Sequence, residues 1–339
     1  MLTVGLGIGA AVAHSPVASA DSSTDWLSSI DSLLGGGAVE ALVPTSGLNL
    51  AISFDGTSLV SAGSANAHTT TGDYGLAIAY GADTNATATG GIGDTAIAEG
   101  SGATANAYDG TGDYALADGT NAYANAGGGI GANYDHAIDI GNNELPTTGP
   151  YDGAYAGDSD LIGNGNGDTG SYDTAIDIGN NTNDTALGVG GHDGAFSGAG
   201  GLVGLTGNGD YDTAINFGNE EGADNGPAAV AGDFDTATTS GNEVGQFLGA
   251  FAGLGNGDLA SVVGGTSTAD AGGEFGTDIL GNYDVATVFD PFGTVGSYAD
   301  AGANASDPGN YDFAGAFADD LNAVATGANY LFEVLPSLF

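Results

Sequence analysis

The repeated aspartates are the residues in this chain best placed to do chemistry. They recur in "NYDHAIDIGNN" (133–143), "SYDTAIDIGNN" (171–181) and "DYDTAINFGNE" (210–220). Asp135, Asp173 and Asp212 hold one repeat position, and Asp139, Asp177 and Asn216 another. If the units stack in register, equivalent carboxylates form ladders. Unit charges at a strand spacing of ~4.8 Å repel by roughly 1 kcal/mol in water, and by several times that at a lower effective dielectric. Solvation and screening, interruption by Asn as at Asn216, or bridging by a hard cation would relieve the repulsion. Asp135, Asp139, Asp173, Asp177 and Asp212 are therefore candidate calcium ligands, and no other cofactor is expected. The structural alternative is that the Asp of each Tyr-Asp or Phe-Asp pair accepts backbone N–H groups in its turn.

Other constellations carry less. "GGIGDTAIA" (90–98) looks like the calcium-binding nonapeptide GGxGxDxUx, with Asp94 one place early and no tandem iteration. His68, His136 and His192 are scattered, without zinc-ligand spacing. His192 with Asp193 reads as an acid–base pair or as a turn. The many Asp pairs are compatible with a glycosidase, so a β-helical carbohydrate-active enzyme is one alternative. Acidic polysaccharides are poor substrates for it, because no Lys or Arg is present to meet their carboxylates.

Composition narrows the partners. The chain has 43 Asp and Glu, no Lys and no Arg, a formal net charge of −43. Nucleic-acid binding by phosphate neutralisation is excluded, and anionic membrane surfaces repel such a chain. Cations, and host or envelope surfaces once salt screens the charge, remain as expected partners. Cysteine is absent, so no disulfide holds the chain together. The 65 glycines are far above the usual ~7%. High Gly and charge suit disorder, but a 41% apolar fraction and a strict repeat argue against it.

The elements that would position these residues follow from periodicity. Between Ala77 and Ala126 the pattern A-x-A-x-G, four residues, A-x-A occurs three times, opened by Ala77, Ala96 and Ala115 at 19-residue intervals. A fixed period of that length marks a stacked, quasi-one-dimensional fold. Ala137 to Ala175 is 38 residues and Ala175 to Ala214 is 39, which extends the period as twice 19. Each unit reads as a short strand and a turn, with Gly141-Asn142 and its equivalents supplying positive φ. Alternation places Ile138, Ile140, Ile176, Ile178, Ile215 and Phe217 on one face, taken as the inward one. The fold expected is an all-β, parallel β-solenoid-like stack of ~19-residue coils, roughly a dozen of them, with short terminal helices.

Five segments result. Residues 1–20 resemble a signal peptide: an apolar run, then Ala18-Ser19-Ala20 as a cleavage site, though with no basic residue ahead of it. The run is too short for a membrane span, and none is expected in the mature chain. Residues 21–37 read as an amphipathic helix carrying Trp26, Leu27, Ile30, Leu33 and Leu34. Residues 38–70 form an irregular lead-in with a strand at "LNLAISF", and 71–312 the Gly/Ala/Asn/Asp-rich repeat region. Residues 313–339 read as an apolar C-terminal helix, with Phe317, Leu321, Val324, Ala328 and Leu331 at helical spacing.

"GNGNGDTGSYDTAIDIGNNTNDTALGVGG" (163–191) resembles the glycine-rich repeat regions of the mycobacterial PE and PPE families, without their N-terminal domain. The A-x-A-x-G units between Ala77 and Ala126 are similar to coils of bacterial trimeric adhesin heads. The first resemblance implies a secreted or cell-surface location and possible host contact, and it implies no catalytic residue. The role expected is that of a non-enzymatic, secreted or cell-envelope-associated structural or adhesion-type repeat protein. The alternative is a calcium-dependent extracellular solenoid module.

Overall fold

The computed structural model describes residues 48–128 continuously. Beyond these it describes 133–143, 153–157, 171–179, 181–182, 194–198, 210–218, 220–223, 226–230, 233–241, 243–246, 249–253, 255–264, 267–272, 282–289, 297–302, 311–317, 322–326 and 332–336. The leader at 1–20 and the helix expected over 21–37 lie outside the described residues.

From Asn49 onward the chain forms one compact unit. It is a β-solenoid with two long sheets, one of 13 strands and one of 11, between which the chain alternates. Strands Leu76–Tyr80, Thr95–Glu99 and Tyr114–Asp118 stack in parallel and in register on the first sheet. Asn85–Thr89, Thr104–Tyr108 and Tyr123–Gly127 do the same on the second. The first coil is closed differently: Leu50–Phe54 runs antiparallel to both Thr57–Ala62 and Leu76–Tyr80. A third sheet of three short strands joins Asn181–Thr182, Glu220–Ala223 and Glu243–Gln246. No helix among the described residues is long and apolar enough to cross a membrane.

Three expectations are corrected. First, the period does not continue as twice 19. Strand His136–Ile140 bonds directly to Thr174–Ile178, and that strand to Thr213–Phe217, so 38 or 39 residues make one coil. Strand pairing fixes the layers, and the connections between strands absorb any extra residues. Second, the C-terminal region is strand, not helix: Phe313–Phe317, Asn322–Thr326 and Phe332–Pro336 continue the two sheets. Open sheet edges offered by the preceding coil outweigh a helical spacing of apolar residues, and Ala314, Ala316, Ala323 and Ala325 restore A-x-A.

Third, the strand phase is the reverse of that expected. Ala137, Ala175 and Ala214 are fully buried, while Ile140, Ile178 and Phe217 are exposed and Ile138, Ile176 and Ile215 half-buried. The interior is a stack of alanines from Ala51 to Ala325, with Val262 and Val288 as larger members. Its width explains the choice. A Cβ placed on Gly75 would lie 3.0 Å from the carbonyl oxygen of Ala88 on the opposite sheet and 3.4 Å from its Cβ. Most inward positions therefore take a methyl-sized group, a few take Val, Asp, Asn or Thr, and the isoleucines and phenylalanines of these strands go outside.

Candidate functional site: a buried acid row and an exposed aromatic row

Just before nine of the first-sheet strands, from Thr95–Glu99 to Phe313–Phe317, the chain makes a turn whose last residue is Asp. These residues stack as one row: Asp94, Asp113, Asp135, Asp173, Asp212, Asp235, Asp258, Asp284 and Asp312, all at most 1% exposed. In each step the backbone N–H of one Asp donates to Oδ1 of the Asp one coil earlier. The distances are 3.0 Å for Asp173 to Asp135, 2.9 Å for Asp212 to Asp173 and 2.9 Å for Asp235 to Asp212. The carboxylates thus bind the adjacent coil's turn rather than their own. The sequence points to the backbone N–H role, and the register between coils supplies its direction.

The second oxygen, Oδ2, is buried and has no hydrogen-bond partner in Asp94, Asp113, Asp135, Asp173, Asp212, Asp235, Asp258 and Asp284. In several coils it faces a glycine ending a second-sheet strand. A Cβ on Gly127 would stand 2.7 Å from Oδ2 of Asp113, and one on Gly302 2.7 Å from Oδ2 of Asp284. Glycine therefore makes room for the acid.

Burial, opposed by no cation, raises the affinity of these acids for protons. Desolvation is the main cause in each case, pushing Asp135 and Asp258 up to about 8 and Asp212 to about 10. Asp113, Asp173, Asp235 and Asp284 rise to about 7, their accepted backbone N–H bonds partly offsetting burial. Near neutral pH the row therefore carries protons on a substantial share of its carboxyls.

Asp139 and Asp177 belong to a different column, inside the first sheet. Asp139 accepts from the Tyr123 amide at 2.6 Å and from Asn143 Nδ2 at 2.8 Å through its Oδ2. Asp177 Oδ1 accepts from Asn216 Nδ2 at 2.8 Å, and Asn216 Oδ1 accepts from Thr239 Oγ1 at 2.6 Å. The five candidate calcium ligands thus fall into two columns, Asp135, Asp173 and Asp212 in one and Asp139 and Asp177 in the other. Among the described residues, no three or more His, Cys, Asp or Glu converge as a metal-holding group. Asp94 of the nonapeptide-like stretch begins the acid row, receiving the Asp113 amide at 3.2 Å.

Preceding each Asp of the row is a residue with left-handed backbone, exposed where it is aromatic. In six coils it is a tyrosine or phenylalanine flanked by that Asp: Tyr134, Tyr172, Tyr211, Phe234, Tyr283 and Tyr311, with φ from 60° to 66°. In others it is Gly93, Gly112 or Gly257. Bulky residues seldom adopt this conformation. Sequence reasoning assigned positive φ to Gly141-Asn142 and missed the aromatics. At the Gly141 position positive φ is found in Gly81, Gly100, Gly119, Gly241 and Gly264, with φ from 120° to 148°, and glycine also serves close approach there: a Cβ on Gly218 would collide with the Gly241 carbonyl one coil on. The aromatic rings stack along the solenoid: Tyr134–Tyr172 at 5.2 Å, Tyr172–Tyr211 at 4.7 Å and 4° apart in plane, and Tyr211–Phe234 at 5.0 Å. Tyr283 and Tyr311 continue it at 5.1 Å.

His136 lies on the outer face against Tyr114, their ring centroids 6.1 Å apart. His68 is exposed on strand Asn66–Thr69, remote in sequence from it, and His192 lies outside the described residues.

No protein family matches the chain, and no curated protein or solved structure matches it.

Proposed function

We propose that this is a non-enzymatic structural or adhesion-type repeat protein, working outside the cell or at the cell envelope. One observation carries the reading: the repeats are built inside out. Alanine and aspartate fill the interior, and the large apolar side chains stand on the surface in register. Ile138, Ile176 and Ile215 form one outer row of the first sheet, and Ile140, Ile178 and Phe217 the row beside it. A contiguous apolar surface on an otherwise acidic protein is a contact surface. The aspartates of the buried row are spent inside, on backbone amides.

The test replaces the outer row. A triple variant, Ile140→Ser, Ile178→Ser and Phe217→Ser, changes no buried side chain. It should keep the wild-type circular dichroism and lose most adsorption to cell-envelope preparations. Undiminished adsorption, or turnover of a glycan substrate by the wild-type chain, would refute the proposal.

The calcium-dependent module is the second reading, favoured by the row of unpartnered Oδ2 atoms. These are the atoms that a proton or a cation would meet. A cation there would use one carboxyl oxygen per coil and would need further oxygens to reach the six to eight that calcium takes.

A further inference from the structure

The exposed aromatic row is chemically uneven. Tyr134, Tyr172 and Tyr211 occupy three successive coils, and Tyr283 and Tyr311 two more, while Phe234 and Gly257 between them carry no hydroxyl. Each of these turns rests on the one before: the Tyr172 amide donates to the Asn133 carbonyl at 2.8 Å, that of Tyr211 to Ser171 at 2.9 Å, and that of Tyr311 to Asn282 at 3.0 Å. A shared φ of 60° to 66° then repeats the ring position from coil to coil. Tyr172 and Tyr211 stack with centroids 4.7 Å apart and planes within 4°. Tyr134 and Tyr172 stack at 5.2 Å and 17°, and Tyr283 and Tyr311 at 5.1 Å and 11°. All five rings are between 47% and 53% exposed. Phenols are thus held against phenols where solvent reaches them. Tyr74 has the same turn position, but the next layer holds Gly93, whose amide bonds the Asp73 carbonyl at 2.7 Å.

Stacked, accessible phenols are suited to oxidative coupling. The chain has no Cys, and its one Met and one Trp are Met1 and Trp26, so in the solenoid tyrosine is the side chain that gives up an electron most readily. We propose that the adjacent tyrosines of this row are a modification site, joined ring to ring by a haem peroxidase acting with hydrogen peroxide. Each of two neighbouring phenols loses one electron and its hydroxyl proton. The two radicals form one bond between ring carbons ortho to oxygen. The ortho C–H of each ring then breaks, and its proton restores the hydroxyl. In net, two electrons and two protons pass to hydrogen peroxide, which leaves as two waters. The stack makes the coupling step intramolecular, because the partner ring is already in place one layer away. Half-exposed rings have room for the tilt that the new bond requires. A net charge of −43 keeps two copies apart, so coupling within a chain outruns coupling between chains. The bond ties one coil to the next, a task that disulfides perform where cysteine is present. This chemistry is independent of what the outer isoleucine rows bind.

The full chain is treated with a haem peroxidase and limiting hydrogen peroxide, then digested at Asp and Glu and read by mass spectrometry. Cross-linked peptides, lighter by two hydrogens than their sum, should join Tyr172 to Tyr134 or Tyr211, and Tyr283 to Tyr311. They should form about tenfold faster or more than any cross-link from Tyr74 or Tyr80, which are exposed to a similar degree. Tyr172→Phe keeps a ring in the stack and removes one phenol. It should abolish both cross-links of the first segment and leave that of Tyr283 with Tyr311 unchanged, which reports in the same sample that the solenoid is folded. Dityrosine fluorescence should appear in the monomer fraction and not depend on protein concentration. Three results would overturn the site: cross-links from Tyr74 or Tyr80 as fast as those of the row, a Tyr134–Tyr211 product in the Tyr172→Phe variant, or coupling found only in concentration-dependent dimers. Absence of any cross-linked peptide after peroxide is consumed would overturn it as well.

Discussion

The amide of Asp212 donates to Oδ1 of Asp173 at 2.9 Å, while Oδ2 of Asp173 stays buried without a partner. One oxygen ties two coils together, and the other makes the residue costly whenever it is charged. Asp173→Asn separates these effects. The amide oxygen keeps the inter-coil bond and the titratable group is gone. At about pH 9 the variant should melt at or above the wild type, and at about pH 5 below or equal to it. Asp173→Ala removes the bond and should cost about 1–3 kcal/mol at the lower pH, measured by denaturant unfolding.

The inverted strand phase makes neighbouring positions respond oppositely. Ala175 is fully buried between the sheets, so Ala175→Leu should overpack the interior and cost about 1–3 kcal/mol or more. Ile176 is half-buried on the outer face, and Ile176→Thr should cost about 1 kcal/mol or less. Urea midpoints of the two variants check this. Equal losses would mean that the sheets do not face each other through alanine.

The aromatic row should contribute little to stability. Tyr211 adopts φ 66°, which costs about 1–3 kcal/mol for a non-glycine residue, and its ring stacking returns about 0.5–1.5 kcal/mol per pair. Tyr211→Gly loses both together and should shift stability by no more than about 1 kcal/mol, read from thermal unfolding. Near-neutrality supports a role for these rings in contact rather than in folding.

Calcium separates two ways of meeting the orphan oxygens. At about pH 9, where more of the row is ionised, sodium should stabilise the chain by screening. A calcium-specific site would add a saturable increment at far lower concentration, at constant ionic strength, and would reject magnesium. If the row is satisfied by protons alone, calcium and magnesium should shift the melting curve equally.

Much of the fold was legible and the side chains' direction was not. The interval from Ala77 to Ala96 and Ala115 marked a stacked fold because every coil must repeat the same backbone. Hydrophobicity then misled: Ile138 and Ile140 are more apolar than Ala137 and Asp139, so they seemed the natural core. The deciding quantity is the gap between the sheets, which no single strand reveals. The A-x-A motif itself carried the clue, since alanine at every second position is what a methyl-wide interior demands. The aromatic row escaped notice because its rings sit at left-handed turns, where Gly93 and Gly112 in other coils look like the rule. The inter-coil use of Asp135 and Asp173 required register, which the 38-residue interval disguised.

The placement of acids inside and isoleucines outside is tested most directly by stability against pH. Burial raises the folded-state pKa values of Asp113, Asp135, Asp173, Asp212, Asp235, Asp258 and Asp284 from the ordinary 3.8 to between about 7 and about 10. The folded chain therefore binds more protons than the unfolded chain between those limits, and stability must fall as pH rises. Each carboxyl held protonated in the folded state and ionised in the unfolded state contributes about 1.4 kcal/mol per pH unit. The benefit is complete below about pH 4 and lost as pH passes through the folded values. The measurement is the thermal midpoint from about pH 4.5 to pH 9.5 at constant ionic strength, without divalent cations. We predict a midpoint that rises steadily on acidification. A midpoint that is flat or falls toward acid, as for carboxylates ionised and paired in the native state, would contradict a buried acid row.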